Sequence, residues 1–290
     1  MIKISEIYSK TKKELSFGGV EFPAEEASLL IGHFTGISRT ELLTHPEKPI
    51  SDETVNAFSK AVSDRISGRP LQYILGNWDF MSLRLFVGEG VLIPREDTIV
   101  LVETAARLIR ESDEPLVQGV DLCAGTGAVG LGIASLLPNI NITAIELSDK
   151  AYPYLLKNCN AYADFKVNPV QGDILDSNLP KKLFYEPVDF IVSNPPYIAE
   201  EEISGLQKEV QREPKMALWG GEDGYDFYHG IAEIWIPKLR EKGFIAVEIG
   251  ETQAEKVEEI FEEAGIKDIK CCRDLGGLPR AISGRKVSVK

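Results

Sequence analysis

The sequence feature that most constrains the fold is the alternation of short apolar runs with longer segments after residue 115. The runs cover 116–122, 142–147, 167–170, 188–192 and 244–249. Each run has the length of a buried strand, and each separating segment is long enough for a helix. Strands joined through helices run parallel, so the pattern predicts an α/β fold with a doubly wound, mainly parallel sheet.

The two ends of the chain depart from this pattern. From residue 2 to about residue 75 the apolar residues recur three and four positions apart, which predicts a small helical domain. Residues 78–93 alternate in twos, and a tight turn at 88–90 would make them a β-hairpin. Two extended stretches within 266–289 predict a closing hairpin at the sheet edge. We therefore expect a helical domain, a β-hairpin linker and a larger α/β domain, at residues 1–75, 76–93 and 94–290.

Composition limits the classes of function. The formal net charge is -13, so the molecule repels phosphate backbones and nucleic acid is disfavoured as the main substrate. The four cysteines form no Cys-x-x-Cys pair and have no histidine cluster beside them, so we expect no metal site and no disulfide framework. Because no apolar stretch suits a signal peptide or a membrane span, we expect a cytoplasmic protein without membrane contact.

A glycine-rich loop follows the first predicted strand of the sheet. Its residues are Asp121-Leu122-Cys123-Ala124-Gly125-Thr126-Gly127. Glycines let a ligand approach the backbone, and the free N–H groups at a helix N-terminus favour a bound anion. Glu146 ends the second strand, where a carboxylate can accept hydrogen bonds from a ribose diol. The loop and Glu146 predict a nucleoside-type cofactor.

Two other interpretations of this loop stay open. Residues 125–130 also fit the G-x-G-x-x-G pattern of dinucleotide sites, with Glu146 about 20 residues further on, so an NAD-dependent oxidoreductase is a rival. The glycines could also do no more than allow a tight turn between strand and helix. The glycine loop alone does not decide between these cases.

A second motif, Asn194-Pro195-Pro196-Tyr197, ends the fourth predicted strand. Each proline fixes φ, lacks an N–H donor and forces the preceding residue into an extended conformation. The side chain of Asn194 and the carbonyl of Pro195 can therefore form a rigid set of acceptors at the sheet edge where α/β folds bind ligands. The alternative is that the two prolines only terminate a buried strand.

This donor-free corner suits a particular chemistry. A planar NH2 group is a poor nucleophile, because its lone pair is delocalised into the neighbouring group. Two acceptors can hold its hydrogens while the nitrogen faces an electrophile in line, and Tyr197 can stack on the planar group. We expect no dedicated general base, since the nitrogen becomes strongly acidic once it is alkylated. The corner predicts transfer of a methyl group to an amide or amino nitrogen.

At these residues the chain resembles class I methyltransferases that act on the amino group of adenine, guanine or glutamine. Further segments resemble the peptide chain release factor glutamine N5-methyltransferases, the HemK/PrmC family, over nearly the whole chain. These segments are Arg69-Pro70-Leu71-Gln72-Tyr73-Ile74-Leu75-Gly76, Ile93-Pro94-Arg95-Glu96-Asp97-Thr98, Glu213-Pro214, Ala217-Leu218 and 220–228.

The resemblance implies a Rossmann-like sheet of seven strands, S-adenosylmethionine as cofactor with S-adenosylhomocysteine as product, and release factors as protein partners. The helical domain would help to dock the release factor. Asn194, Pro195, Pro196 and Tyr197 would bind the target glutamine of a Gly-Gly-Gln motif, with Asn194, Pro195 and Tyr197 as catalytic residues. Cofactor contacts are implied for Asp121, Cys123, Ala124, Gly125, Thr126, Gly127, Glu146, Asp173, Ile174 and Asn194.

The sequence departs from the family pattern at Cys123-Ala124, where Gly-Thr is usual, and at Glu96-Asp97, where Pro-Glu is frequent. For the segment 93–98, direct contact with the cofactor and a plain turn with Asp97 as helix N-cap are both open. An amino-methyltransferase of DNA or RNA is the alternative function within the same chemistry. A protein that binds the cofactor without turnover is a further alternative.

Overall fold

The computed structural model describes residues 2–113, 115 and 117–287. Leu116 and Val289, at the ends of two predicted extended runs, lie outside the described residues. The chain forms two compact units, Met1–Asn77 with Gln207–Arg212, and Trp78–Leu206 with Glu213–Lys290. The predicted division at residues 75 and 93, with a linker between, stays a prediction.

The first unit is helical. Its elements are β1 (Ile2–Lys3), α1 (Ile4–Phe17), α2 (Pro23–Thr35), α3 (Arg39–Thr44), β2 (Pro49–Ile50), α4 (Asp52–Ile66) and α5 (Leu71–Leu75). The side chains of Ser38 and Ser51 accept hydrogen bonds from backbone N–H groups at the starts of α3 and α4, so each satisfies a donor that the helix leaves unpaired. Gly36 ends α2 in the left-handed conformation, with φ of 68°.

A buried cation lies in this first unit. The guanidinium of Arg65 on α4 donates two hydrogen bonds to Glu26 on α2, at 2.6 and 3.0 Å. A third hydrogen bond, 3.0 Å long, goes to Glu209. The Arg65 and Glu26 side chains are only 7% and 12% exposed. Since an unpaired charge at this depth would be costly, the pair fixes how α2 and α4 pack.

The next two strands, β3 (Asn77–Phe80) and β4 (Leu83–Phe86), form a two-stranded sheet. The predicted position of the tight turn was wrong. The strands are joined at Met81 and Ser82, and Gly88 to Gly90 lie after β4. Met81 takes a left-handed conformation with φ of 53°, which a methionine rarely adopts, and no glycine or asparagine marks the turn in the sequence.

The remaining elements alternate as predicted. Helices α6 (Thr98–Arg110), α7 (Ala128–Leu136), α8 (Tyr152–Ala161), α9 (Leu179–Leu183), α10 (Asp226–Gly230) and α11 (Ala254–Glu263) surround the sheet strands. The strands are β5 (Gln118–Leu122), β6 (Asn141–Glu146), β7 (Val167–Gln171), β8 (Val188–Ser193), β9 (Leu239–Glu248), β10 (Ile266–Arg273) and β11 (Pro279–Lys286). Single-turn helices lie at Ile203–Gly205, Val210–Arg212, Lys215–Ala217 and Ile236–Lys238, and a π-helical turn at Ile231–Trp235.

Within the described residues, the main sheet has seven strands in the order β10-β11-β9-β8-β5-β6-β7. Strands β5 to β9 are parallel, and β11 runs antiparallel to both of its neighbours. The predicted fold class and edge hairpin are confirmed. Because the strand order reverses between β5 and β8, the carboxyl ends of these two strands open onto one crevice.

The core fills both faces of this sheet. Phe190 on β8 and Phe244 on β9 stack with ring centroids 5.4 Å apart. On the other face Trp235 is fully buried, and its indole N–H donates to the carbonyl of Ile174 at 2.8 Å. The packing fixes the loops at the carboxyl ends of the strands. None of the helices formed by the described residues combines the length and the apolar character that a bilayer crossing requires.

Candidate active site

A cavity of about 310 Å³ opens at the carboxyl ends of the parallel strands, within the second unit. This volume falls in the range of small-molecule sites. Its walls come from the segment before α6, the glycine loop, the ends of β6 and β7, and the corner after β8. The lining residues include 90–95, Thr98, 123–126, 145–148, 172–175, Asn194, Pro196, Met216, Trp219 and Phe227. The two predicted motifs therefore meet at one cavity.

The glycine loop connects β5 to α7 through three left-handed residues. Gly125 and Gly127 have φ of 56° and 83°, and Cys123 has φ of 60°. Cys123 thus occupies a conformation that glycine adopts without strain and that other residues rarely take. Burial raises the pKa of its thiol well above the ordinary value, so the group is held as a neutral thiol.

Asp121 stabilises the start of the helix that follows this loop through a hydrogen bond. Its side chain is fully buried, and its Oδ2 accepts from the backbone N–H of Gly130 at 2.9 Å. Burial raises the pKa of this carboxyl to about 7, the Gly130 hydrogen bond opposes the shift, and the charge of Glu146 adds to it. Asp121 is not among the described residues that line the cavity. Its contacts indicate that it fixes the turn between β5 and α7.

Glu146 contacts the glycine loop through a hydrogen bond to its backbone. Its Oε2 accepts from the N–H of Gly125 at 2.8 Å, and its Oε1 accepts from the N–H of Ser148 at 2.7 Å. Burial raises the pKa of this carboxyl, and these backbone donors oppose the shift. Each carboxylate oxygen has a further lone pair, so Glu146 can still accept the two hydrogens of a diol. The sequence placed this acceptor correctly at the end of β6.

The corner after β8 lies beside the glycine loop because β8 pairs with β5, with Ser193 opposite Leu122. Asn194 and Pro196 line the cavity, whereas Pro195 and Tyr197 do not, among the residues described. The hydroxyl of Tyr197 donates to Glu248 at 3.4 Å. Burial raises the pKa of Tyr197. The suggested stacking of Tyr197 on a bound planar group stays a prediction.

Two further contacts hold the corner in place. The side-chain amide of Gln253 donates to the carbonyl of Tyr197 at 3.0 Å, and the N–H of Ile198 donates to the carbonyl of Leu218 at 2.8 Å. Gly220 passes so close that a Cβ there would lie 2.8 Å from the carbonyl oxygen of Pro196. These neighbours therefore confine the backbone of the corner.

The segment 93–98 also lines the cavity, through Ile93, Pro94, Arg95 and Thr98. Glu213, which lies much later in the chain, contacts this segment through a hydrogen bond and an ion pair. This buried carboxylate accepts from the N–H of Ile93 at 2.9 Å and pairs with the guanidinium of Arg95. Burial raises the pKa of Glu213, against the effect of Arg95. The ion pair links two of the segments that resemble the family.

Asp97 occupies the N-cap position of α6, but its side chain makes no capping hydrogen bond. Its carboxylate pairs instead with Arg280 at 3.2 Å. Asp97 is therefore the N-cap residue without a side-chain cap, and direct contact of segment 93–98 with the cofactor stays a prediction.

The predicted cofactor residues gather as follows. Among the described residues, Asp121 and Gly127 are not part of the cavity lining, which includes Cys123, Ala124, Gly125, Thr126, Glu146, Asp173, Ile174 and Asn194. Sequence analysis missed Met216 and Trp219, which are 47% and 41% exposed at the rim, and Glu248 beneath the corner. No periodicity or spacing marks these three. The roles of all the predicted site residues stay predictions.

Comparison with known proteins shows which family this chain is related to. The family model "PrmC N-terminal domain" matches residues 6–76, and "Methyltransferase small domain" matches residues 101–218. The release factor glutamine methyltransferase of Clostridium botulinum is 36% identical over 276 residues, which cover 94% of this chain and 95% of that protein. This chain belongs to the release factor glutamine methyltransferase family. Membership at this coverage confirms the suspected family and makes the chain an enzyme of the methyltransferase class.

Solved structures share the fold. The catalytic domain of hMettl16, in complex with a MAT2A 3′UTR hairpin, has a TM-score of 0.55 and 13% identity, and the match covers 96% of this chain and 95% of that one. The 16S rRNA N2 G1207 methyltransferase of T. thermophilus, in complex with AdoMet and guanosine, has a TM-score of 0.50 and 18% identity over 72% of this chain and 49% of that one. At such identities the likeness concerns the fold alone.

The site residues fit a nucleoside sulfonium cofactor. Glu146 is an acceptor for a diol, and Ile145, Leu147 and Ile174 give the adjoining wall an apolar character. A Cβ at Gly125 would point into open space, so the backbone there is accessible to a ligand. Histidine, cysteine and carboxylate side chains form no cluster that could hold a metal ion in the part of the chain that is described.

Proposed function

We propose that this chain transfers a methyl group from S-adenosylmethionine to the side-chain amide nitrogen of the glutamine in the Gly-Gly-Gln motif of peptide chain release factors. One observation carries the proposal. The rigid corner at Asn194 and the acceptor Glu146 line the same cavity, in a chain of this family. A candidate acceptor for an NH2 group and a candidate acceptor for a ribose thus line one cavity.

S-adenosylmethionine supplies, when bound, a methyl group activated on a positively charged sulfur. The chain itself supplies position. Glu146 accepts the diol, and the glycine loop leaves its backbone open to the ligand. The side-chain oxygen of Asn194 accepts one hydrogen of the target amide and the carbonyl of Pro195 accepts the other, so the nitrogen lone pair faces the reacting carbon.

No side chain is required as a general base. The alkylated amide nitrogen carries positive charge and loses its proton to a neighbouring carbonyl or to water. Glu248, a buried carboxyl, accepts a hydrogen bond from the hydroxyl of Tyr197 and has no place in this step. Catalysis therefore consists of holding a weak nucleophile in line and stabilising the developing charge.

The decisive experiment is transfer of labelled methyl from S-adenosylmethionine to a purified release factor, with the modified peptide identified by mass spectrometry. Asn194→Ala should lower kcat by about 10²- to 10³-fold, as loss of one transition-state hydrogen bond does. Asn160→Ala, on the exposed side of α8, is the matched control and should transfer at the wild-type rate. Absence of label from the Gly-Gly-Gln peptide with wild-type enzyme would refute the substrate.

Two rivals are tested by binding. A dinucleotide enzyme would be stabilised against thermal unfolding by NADH, whereas our proposal requires stabilisation by S-adenosylhomocysteine. A nucleic-acid methyltransferase would bind DNA or RNA with a steep salt dependence, which the net charge of -13 opposes.

We also propose that the helical unit docks the body of the release factor. It exposes large apolar side chains, with Phe17 92% and Leu43 74% accessible. Phe17→Ser or Leu43→Ser should raise KM for the intact release factor several-fold, about as expected for loss of one apolar contact. The same variants should leave KM for a short Gly-Gly-Gln peptide unchanged. Equal effects on both substrates would contradict a docking role.

A further inference from the structure

Several apolar side chains at the opening of the cavity have no role in the chemistry proposed above. Leu147, Leu175, Met216 and Trp219 line the cavity, and all of them are exposed to solvent. Exposed apolar side chains that group around a cleft mark a surface that a ligand covers. Trp219 is the largest of them and presents a flat ring with a single N–H donor. The indole therefore has the most apolar surface to offer a ligand at this opening.

Trp219 belongs to a segment that is fixed to the acceptor corner. The N–H of Ile198 donates to the carbonyl of Leu218 at 2.8 Å, and the carbonyl of Ile198 accepts from the N–H of Gly220 at 2.9 Å. These two hydrogen bonds form a parallel bridge in which Ile198 faces Trp219. Backbones paired in this way lie about 4.8 Å apart. The backbone of Trp219 therefore keeps a fixed place beside the corner.

The indole is also restrained by a charged neighbour. The ammonium group of Lys215 lies 5.6 Å from the centroid of the Trp219 ring, within the range of a cation–π contact. The same ammonium group pairs with the carboxylate of Glu200, which follows the corner, at 2.7 Å. The backbone N–H of Trp219 donates to the carbonyl of Lys215 at 2.8 Å. These contacts limit how far the ring can swing away from the cavity.

The corner also determines where the backbone of a bound substrate must lie. Four bonds separate the side-chain nitrogen of a glutamine from its Cα, so these two atoms are at most about 5 Å apart, and the next Cα is about 3.8 Å further along the chain. A glutamine held at Asn194 and Pro195 thus brings its own backbone and its neighbours to the opening of the cavity. Trp219 lies at this opening, beside the corner. A peptide substrate therefore has to pass the indole.

The acceptors of the corner do not by themselves select a sequence. They can hold any planar NH2 group, and asparagine, glutamine and adenine all carry one. A pair of glycines has no side chain to recognise, so selection for glycine has to use the bare backbone. A flat aromatic ring can pack directly on a peptide unit, whereas a Cβ between the two would hold them apart. An indole beside the corner meets this requirement.

We propose that Trp219 is a specificity-determining residue, which packs on the backbone of the residue before the target glutamine and selects glycine at that position. The inference rests on the proposed function for the identity of the substrate. Met216 extends the apolar surface along the same segment. The predicted cofactor contacts lie mainly on the glycine loop, Glu146 and residues 173–174, whereas Trp219 is joined to the corner. The indole therefore serves the peptide and not the cofactor.

The test uses the full-length enzyme and two intact release factors, one with Gly-Gly-Gln and one in which alanine replaces the glycine before the glutamine. The wild-type enzyme should favour the glycine substrate by about 10- to 100-fold in kcat/KM, as exclusion of one methyl group does in a shaped site. Trp219→Ala opens the space beside the peptide and should reduce this preference to less than about threefold. It should also lower kcat/KM for the glycine substrate by about tenfold, through loss of an aromatic contact.

Two further variants separate selection from general damage to the site. Trp219→Phe keeps a flat ring and should retain a preference for glycine of at least about tenfold. Tyr185→Ala is the matched control, because Tyr185 is 95% exposed and precedes β8, whereas the cavity lies at the carboxyl end of that strand. It should leave both kcat/KM values unchanged. A role of Trp219 limited to packing would lower kcat/KM for both release factors equally, and the preference would stay at the wild-type value.

Three results would overturn the inference. They are a wild-type enzyme that methylates both release factors equally, a Trp219→Ala enzyme that keeps the wild-type preference, and a Trp219→Ala enzyme with weakened binding of S-adenosylhomocysteine, which would place the indole at the cofactor. Failure of the proposed function has a separate signature. In that case the wild-type enzyme would label neither release factor, which would remove the substrate on which the inference rests.

Discussion

Replacing Gly220 with alanine should displace the corner at Asn194 without touching the cavity directly. A Cβ at Gly220 would lie 2.7 Å from Cα of Tyr197 and 2.8 Å from the carbonyl oxygen of Pro196. Both are backbone atoms, so no flexible side chain can move aside. Ordinary packing needs 3.4 Å, and the corner must therefore shift by about 0.7 Å.

The size of the effect follows from this displacement. A misplacement of about 1 Å can cost 10²-fold in rate, so we expect Gly220→Ala to lower kcat by about 10- to 50-fold, or roughly 2 kcal/mol in the barrier. Crowding of this kind also lowers the free energy of unfolding by about 1 to 3 kcal/mol. Binding of S-adenosylhomocysteine should weaken far less than kcat falls, since Glu146 and the glycine loop, which hold most of the predicted cofactor contacts, do not move.

The assay is single-turnover methyl transfer to a release factor at saturating cofactor, together with calorimetric binding of S-adenosylhomocysteine and thermal melting. Gly205→Ala is the matched control, because a Cβ there meets no atom within 4 Å. It should retain wild-type transfer. If Gly220→Ala transferred methyl within twofold of wild type, the argument that the corner acts through rigid placement would be refuted.

Three further predictions concern stability. Asn158 is fully buried, and its side-chain amide both accepts and donates hydrogen bonds with backbone groups. Asn158→Ala should therefore lower the free energy of unfolding by about 2 to 3 kcal/mol in urea titrations. The exposed Asn160→Ala should change it by less than about 0.5 kcal/mol, and equal losses would contradict this account. Arg65→Ala leaves the carboxylate of Glu26 buried without its partner and should cost about 3 kcal/mol, whereas a change in melting below the experimental error would argue against it. Burial raises the pKa of Asp121 to about 7, so the unfolded chain releases this proton at lower pH than the folded chain, and stability falls as the pH rises from about 4 to about 7. Asp121→Asn should reduce the difference between melting temperatures at pH 5 and pH 8, and an unchanged difference would count against the burial of this charge.

Some local elements differ from their predictions for identifiable reasons. The apolar run 244–249 predicted only part of β9, which begins five residues earlier at Leu239. Residues 240–242 are charged and their side chains are partly or fully exposed, although their backbone belongs to the strand. An apolar run therefore does not mark the beginning of β9. The turn at Met81 was missed because its left-handed conformation is held by the surrounding structure and not by a residue that prefers it.

The sequence by itself determined the layered α/β architecture and the places of the glycine loop, Glu146 and the Asn194 corner at the ends of their strands, whereas the roles of these residues stay predictions. Periodicity and proline chemistry are local properties, and each of these features depends on residues close together in the chain. Only the tertiary structure decided that Glu213 pairs with Arg95, and that the side chain of Asn194 meets the hydroxyl of Thr98. The partners in these two pairs are 118 and 96 residues apart in the sequence. Such contacts arise from how the strands and helices pack together, which no local pattern encodes.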